Sequence, residues 1–249
     1  MAGHSKWKNI RLHKGKADVE RGKVFGKLAR ELTIAAKLGG GNPDSNPRLR
    51  LAVEKARDES MPADNIKRAI QKGTGELASE NYEEVTYEGY GPGGVAVLVE
   101  ATTDNRNRTV ADLRHLFSRH GGNLGESGSV AWQFSRKGVI EVLAEGREEE
   151  AVMEAALEAG AEDLAHEGDT YEITTPANDL TTVRASLESR GIAVDSASLE
   201  MVPQSTVRLE SDSARRMLKL MDALEDHDDV QRVAANFDIN DDILQEQTA

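Results

Sequence analysis

The residues best suited to chemistry stand at the front of the chain. MAGHSKWKNIRLHKGK contains Lys6, Lys8, Arg11, Lys14 and Lys16, with His4 and His13, and no Asp or Glu. Arg21, Lys23, Lys27 and Arg30 continue the series. Such side chains neutralise phosphates and release the counterions condensed on a nucleic acid. Binding then weakens with log[salt] at a slope of about −0.9 per phosphate on duplex DNA. Trp7, between Lys6 and Lys8, carries a ring that can stack on an unpaired base. Packing on the helices that follow is its alternative use. A second cationic pair, Arg106 and Arg108, lies in TTDNRNRT, residues 102–109. That segment ends a strand and opens a helix, where the helix dipole is already positive. Either a phosphate held by the arginines and free backbone N–H groups, or acids such as Asp104 and Glu100, must compensate these charges.

Other chemistries find less support. The chain has no cysteine, which excludes disulfides, thiol catalysis and zinc-thiolate or iron-sulfur sites, and fits a reducing compartment. His115 and His120 are five apart and fall on different helix faces, unlike the i, i+4 pair of a helical zinc site. EDHDD, residues 225–229, lacks the ligand spacing of a calcium loop and reads as a solvated turn at a helix end. The glycine-rich GYGPGG (89–94) and GGNLGESGS (121–129) match no phosphate-binding fingerprint and read as turns. Gly22, Gly26 and Lys27 lack the spacing and the hydroxyl of a P-loop. No nucleophile elbow appears. No catalytic residue, metal or cofactor is expected, and the chain reads as a non-enzyme.

The charge is divided unevenly. The 249 residues carry a formal charge of −13, yet residues 1–75 hold 17 Lys/Arg against 8 Asp/Glu, leaving 14 basic and 36 acidic residues for the remainder. Such asymmetry points to a polyanion-binding end, with the acidic remainder repelled by phosphate. No apolar run approaches the roughly 20 residues that span a bilayer. The front also lacks the apolar core of a secretory signal. A cytoplasmic location is expected, with no membrane partner and no small-molecule substrate.

Helical elements must position the front cations. Phe25, Leu28, Leu32 and Ala35 predict a helix over 17–38. GGGNPDSNP predicts a loop, and Asn46-Pro47 an N-cap and first helical position. Leu49, Ala52, Val53 and Ala56 then form a helical stripe. Ser60-Met61-Pro62 repeats the cap-then-proline signal before a third helix, which Gly73 and Gly75 end. After about Leu77 the pattern changes. Strands are predicted at 85–87, 95–99 and 130–134, with a helix over 107–120 capped by Asp104 or Thr103. Residues 137–203 predict β-α-β-β-α-β, the ferredoxin-like order. A strand at 206–209, a helix at 214–224 and a strand at 230–237 complete the chain. The last segment holds half a domain's elements, and the stretch from 80 to 134 lacks a full complement too. The expected fold is therefore α+β: a small all-helical domain at 1–78, a discontinuous α+β domain at 79–136 and 204–249, and a ferredoxin-like α+β domain at 137–203 inserted into it.

Several long motifs also carry a resemblance. GHSKWKNIRLHKGKADVERGKVFGKLAREL, LGGGNPDSNPRLRLAVEKAR, MPADNIKRAIQKGTGE, YEGYGPGGVAVLVEATTDNRNRT and GGNLGESGSVAWQF, in that order, resemble the YebC/PmpR family. That family includes the mitochondrial translational activator of cytochrome c oxidase. The resemblance implies three domains, the third inserted in the second, and a non-enzymatic role. It implies a DNA-binding probable transcriptional regulator or, alternatively, a ribosome- or RNA-associated translation factor that relieves stalling, as at proline runs. The family's basic face carries over to Lys6, Lys8, Arg11, Lys14, Lys16, Arg21, Lys23 and Lys27. The partner is then a nucleic acid, either DNA or ribosomal RNA.

Overall fold

The computed structural model describes residues 19–78 and 80–240. Three helices come first: α1 (Val19–Gly39), α2 (Pro47–Asp58) and α3 (Ala63–Thr74). Their shared core is aliphatic: Leu28, Leu32, Ala35 and Ala36 meet Leu49, Val53 and Ala56, with Met61, Ile66 and Ala69 closing it. Asn46, only 4% exposed, joins two helix ends. Its Oδ1 accepts from the Leu49 N–H at 3.1 Å as the N-cap of α2, and its Nδ2 donates to Ala35 O at 2.8 Å and Gly40 O at 2.9 Å.

Two expectations for this bundle are corrected. Ser60 does not cap α3. It takes φ +60 just beyond α2, with its N–H bonded to Arg57 O, and α3 begins after Pro62 without a side-chain cap. The terminating residue of α3 is Gly75, with φ 83, whereas Gly73 lies within the helix. A Cβ on Gly73 would stand 2.3 Å from Thr33 O and 2.8 Å from Ala36 Cβ, so Gly73 is where α3 crosses α1 at close range.

Next come β1 (Glu83–Tyr90), β2 (Ala96–Thr103), α4 (Arg106–Arg119) and β3 (Asn123–Leu124). Then follow β4 (Phe134–Leu143), α5 (Glu149–Glu158), β5 (Asp163–Glu167), β6 (Thr170–Pro176), α6 (Leu180–Ser189) and β7 (Ser196–Pro203). The chain ends in β8 (Val207–Arg208), α7 (Ser211–Glu225), β9 (Val230–Ala235) and β10 (Phe237–Asp238).

The described residues form two compact units, one of 19–129 with 211–233 and one of 130–210 with 234–240. In the first, the sheet order is β3-β1-β2-β9, and β1 and β2 pair antiparallel from Glu83↔Thr103 to Tyr90↔Ala96. The glycines of the turn segments serve close approach: Phe117 lies over Gly89 and Met217 over Gly91, each within 2.7 Å of where a Cβ would be. In the second unit, the antiparallel sheet β5-β6-β4-β7 has the ferredoxin-like order. Ile140, Val142, Ile173, Val183 and Leu187 fill its core. The short β8 and β10 pair in parallel.

The fold is α+β, with a helical region followed by sheet-containing segments. Three local expectations change. Residues 130–134 are not a strand: Ala131–Gln133 make a 3-10 turn and β4 starts at Phe134. The expected boundary at 136/137 falls inside β4, whose pairing with β7 continues through Arg136↔Met201 and Lys137↔Glu200. The loop 121–129 contains β3, which pairs with the end of β1.

Gly73→Ala removes a poor helix former but forces a methyl group against backbone. We expect it to lower stability by about 1–3 kcal/mol. Gly22→Ala, at an α1 site with nothing described within 4 Å, raises stability by about 0.5–1 kcal/mol. Urea titration of the two variants checks the opposite signs.

Candidate functional site

Lys6, Trp7, Lys8, Arg11, Lys14 and Lys16 lie outside the described residues, and Arg21 falls in the first turn of α1. Lys23, Lys27 and Arg30 follow at i, i+4 and i+7, which puts them on one helix face. That face meets the C-terminal end of α7. Lys27 Nζ donates to Glu225 O, Arg30 Nη1 to Asp228 O, and Lys23 Nζ to Asp226 O at 3.4 Å. The last carbonyls of a helix have no partner within it and carry the negative end of its dipole. The α1 cations therefore act as a cap supplied from another helix. EDHDD is thus a docking turn rather than only a solvated one. Arg30 also stands over the Tyr82 ring, 5.9 Å from its centroid.

The same turn ends in Asp229, 3% exposed. Its Oδ2 accepts from Arg108 Nη2 at 2.8 Å and Thr109 Oγ1 at 2.7 Å, and Thr103 Oγ1 stands 3.4 Å away. Its carbonyl accepts from the Thr102 N–H at 2.8 Å. Burial pushes the Asp229 carboxyl up, but the Arg108 and Thr109 hydrogen bonds and the nearby positive charge hold it below the ordinary aspartate value. Arg108 is also paired with Asp104 at 2.8 Å. Arg106, 61% exposed at its side chain, reaches Glu83 at 3.8 Å. Glu100 instead faces Arg232, at 3.4 Å. Acids therefore compensate the cations of TTDNRNRT. The cap of α4 is Asn105, whose Oδ1 accepts from the Arg108 N–H at 3.1 Å, not Asp104 or Thr103. Thr103 instead accepts from the Asn105 N–H at 2.9 Å.

Other cations of the helical region are held as well. Arg48 forks between Glu31 at 2.9 Å and Glu84, tying α1 and α2 to β1. Arg50 donates to Pro43 O at 3.2 Å and Asp44 O at 2.7 Å. Lys37 donates to Asn81 Oδ1 at 2.8 Å and Tyr82 O at 3.1 Å. The loop 121–129 does not present open N–H groups at its pinned end: the buried Glu88 accepts from Gly128 N through Oε1 at 2.6 Å, and from Gly125 N through its carbonyl at 2.8 Å. His115 is exposed on α4, and His120 lies just past its end. Burial and the charges of Arg119 and Lys219 hold the His120 imidazole below its ordinary value. Among the described residues no group of three His, Asp or Glu side chains is placed to hold a metal, and no helix is long and apolar enough to cross a membrane.

Two stability effects follow from these contacts. Lys23→Gln/Lys27→Gln/Arg30→Gln removes the cap of α7 and lowers stability by about 1–2 kcal/mol, read as a drop of a few degrees in Tm. Asp229→Asn leaves Arg108 and the two threonines mismatched and costs about 2–3 kcal/mol at pH 7. Because the folded carboxyl titrates below its unfolded value near 3.9, its contribution is complete above that pH. It is lost as pH falls through the folded value. Urea titrations at pH 7 and pH 3 should show the gap between the wild type and Asp229→Asn narrowing in acid.

The comparisons with known proteins cover nearly the whole chain. The profile of the TACO1/YebC protein N-terminal domain matches residues 5–76, and that of the TACO1/YebC second and third domain matches residues 82–237. A probable transcriptional regulatory protein of Pelotomaculum thermopropionicum is 56% identical over 243 residues, which are 97% of this chain and 100% of the relative. One of Geobacter sulfurreducens is 57% identical over 240 residues, 96% of this chain and 97% of the relative. The crystal structure of a conserved hypothetical protein from Aquifex aeolicus superposes with a TM-score of 0.85 at 52% identity, covering 92% of this chain and 94% of that one. With both profiles matched in order and relatives aligned end to end, the chain belongs to the TACO1/YebC family.

Proposed function

We propose that this protein is a cytoplasmic, non-enzymatic regulator of transcription that binds DNA, with its phosphate contacts made by Lys6, Lys8, Arg11, Lys14 and Lys16. One observation carries the reading. Five cations and no acid occupy the first sixteen residues of a chain whose net charge is −13. Two findings add support. The relatives are named probable transcriptional regulatory proteins. And Lys23, Lys27, Arg30 and Arg108 have structural partners at the end of α7 and in the turn after it, which takes these four out of the phosphate-contacting set. The acidic remainder repels phosphate and confines contact to the basic first 75 residues.

Trp7 favours a second reading. An aromatic ring between two lysines suits unpaired bases, where stacking contributes about 1–3 kcal/mol per base. RNA presents such bases in loops and bulges. In this reading the protein acts on translation, at the ribosome.

Lys6→Gln/Lys8→Gln/Arg11→Gln separates the readings. Three lost phosphate contacts reduce the salt slope on a duplex by about 2.7. Fluorescence anisotropy with a labelled promoter fragment measures it. A footprint at physiological salt that the variant loses supports transcription. Ribosome co-sedimentation that survives DNase and is lost in the variant supports translation. Unchanged binding to both by the variant, or turnover of a substrate by the purified protein, overturns the proposal.

A further inference from the structure

We infer that the solvent face of α3, carrying Lys67, Arg68 and Lys72, is a second phosphate-contacting surface for the nucleic acid held by the front of the chain. The inference rests on the nucleic-acid reading above, and none of these residues belongs to the set that sequence spacing singled out.

It begins with what the other cations are doing. In α1 and α2, Lys23, Lys27 and Arg30 are spent on the carbonyl end of α7, Lys37 on Asn81 and Tyr82, Arg48 on two glutamates, and Arg50 on loop carbonyls, while the exposed Arg57 side chain makes no hydrogen bond or ion pair among the described residues. Lys67, Arg68 and Lys72 are exposed, and among the described residues they form no hydrogen bond or ion pair. At 100° per residue they span an arc of roughly 140° on the side of α3 opposite Ile66, Ala69 and Gly73. Lys67 and Lys72 are about 7.5 Å apart along the axis at 1.5 Å per residue.

The local acids do not neutralise this face. Asp64 lies one turn before Arg68, in the first turn, where the helix dipole favours a negative charge, and it makes no bridge to Arg68. Glu76 accepts from Gln71 Nε2 at 3.3 Å and Thr74 Oγ1 at 3.1 Å. Lys72 sits in the last turn, where the dipole accounts for a cation. Lys67 and Arg68 are mid-helix, and the dipole gives no reason for them. Arg68 and Lys72 are also like charges at i, i+4, an arrangement that disfavours the isolated helix. A row of phosphates turns that repulsion into attraction and releases counterions. Contacts of this kind position the strand and carry no base sequence.

The test uses the full chain with two probes, a labelled 30-base-pair DNA duplex and a labelled 30-nucleotide RNA, titrated from 50 to 200 mM salt. Lys67→Gln/Arg68→Gln/Lys72→Gln should reduce the salt slope by about 2–3 and weaken binding about tenfold or more at 100 mM. Its thermal unfolding should match the wild type, since these side chains make no hydrogen bond or ion pair with any described residue. The charge-keeping variant Lys67→Arg/Arg68→Lys/Lys72→Arg should keep the slope. So should Lys137→Gln/Arg184→Gln/Arg190→Gln, which removes the same net charge from the other unit. If the α3 variant binds like the wild type while Lys6→Gln/Lys8→Gln/Arg11→Gln does not, the inference falls and the proposed function stands. If the charge-matched control loses as much as the α3 variant, net charge explains the effect and the inference falls. If the wild type binds neither probe, the proposed function and the inference fall together.

Discussion

Five residues at the end of α7 and just beyond it, Glu225 to Asp229, satisfy two distant parts of the chain at once. Their carbonyls take Lys23, Lys27 and Arg30 from α1, and their last carboxylate takes Arg108 and Thr109 from the start of α4. Neither half is independent. One of these carbonyls, Glu225 O, belongs to the open end of α7, and those of Asp226 and Asp228 lie just beyond it, where the dipole terminates and attracts cations. The carboxylate is buried, and an unpaired buried charge is strongly unfavourable. Arg108 and the threonines of the β2–α4 corner remove that penalty. The backbone of the turn joins in as well, since Asp229 O accepts from Thr102 N at the end of β2. The first unit is thereby held together by residues belonging to two separate stretches of sequence.

The same turn changes how the basic residues must be understood. Read along the sequence, the cations from Lys6 to Arg30 form one series. In the fold they divide. Lys23, Lys27 and Arg30 act as structural cations whose partners are carbonyls, and Arg108 has two carboxylates. A phosphate would have to compete with those groups for them. α3 shows the converse, with cations that no described group has claimed. Net charge says that an end of the molecule is positive. Only the partner of each side chain says which charges are spent on folding.

The local pattern was enough for most elements. Leu49, Ala52, Val53 and Ala56 marked α2, and Asn46 with Pro47 marked its start, because cap, proline and stripe all act within a few residues. The ferredoxin-like order in 137–203 was legible because each strand and helix carried its own period. Long-range causes were not. Asp229 and Arg108 are 121 apart in sequence, and Lys27 and Glu225 are 198 apart, so no window shows that they meet. Ser60 looked like a cap because its side chain suits one, whereas its backbone had turned to positive φ to leave α2. Gly73 looked like a stop because glycine often is one, whereas the reason for it lies in the neighbouring helix.

The 198-residue gap between Lys27 and Glu225 also has a meaning during synthesis. At about 5–20 residues per second, α1 leaves the ribosome roughly 10–40 s before the carbonyls that will hold it exist. Throughout that interval a nascent helix bearing Lys23, Lys27 and Arg30 emerges next to a surface rich in ribosomal RNA, with its intramolecular partners still untranslated. The first unit can close only after residue 233 has emerged. The intervening 130–210 segment, whose sheet β5-β6-β4-β7 is encoded in one stretch, is free to fold first.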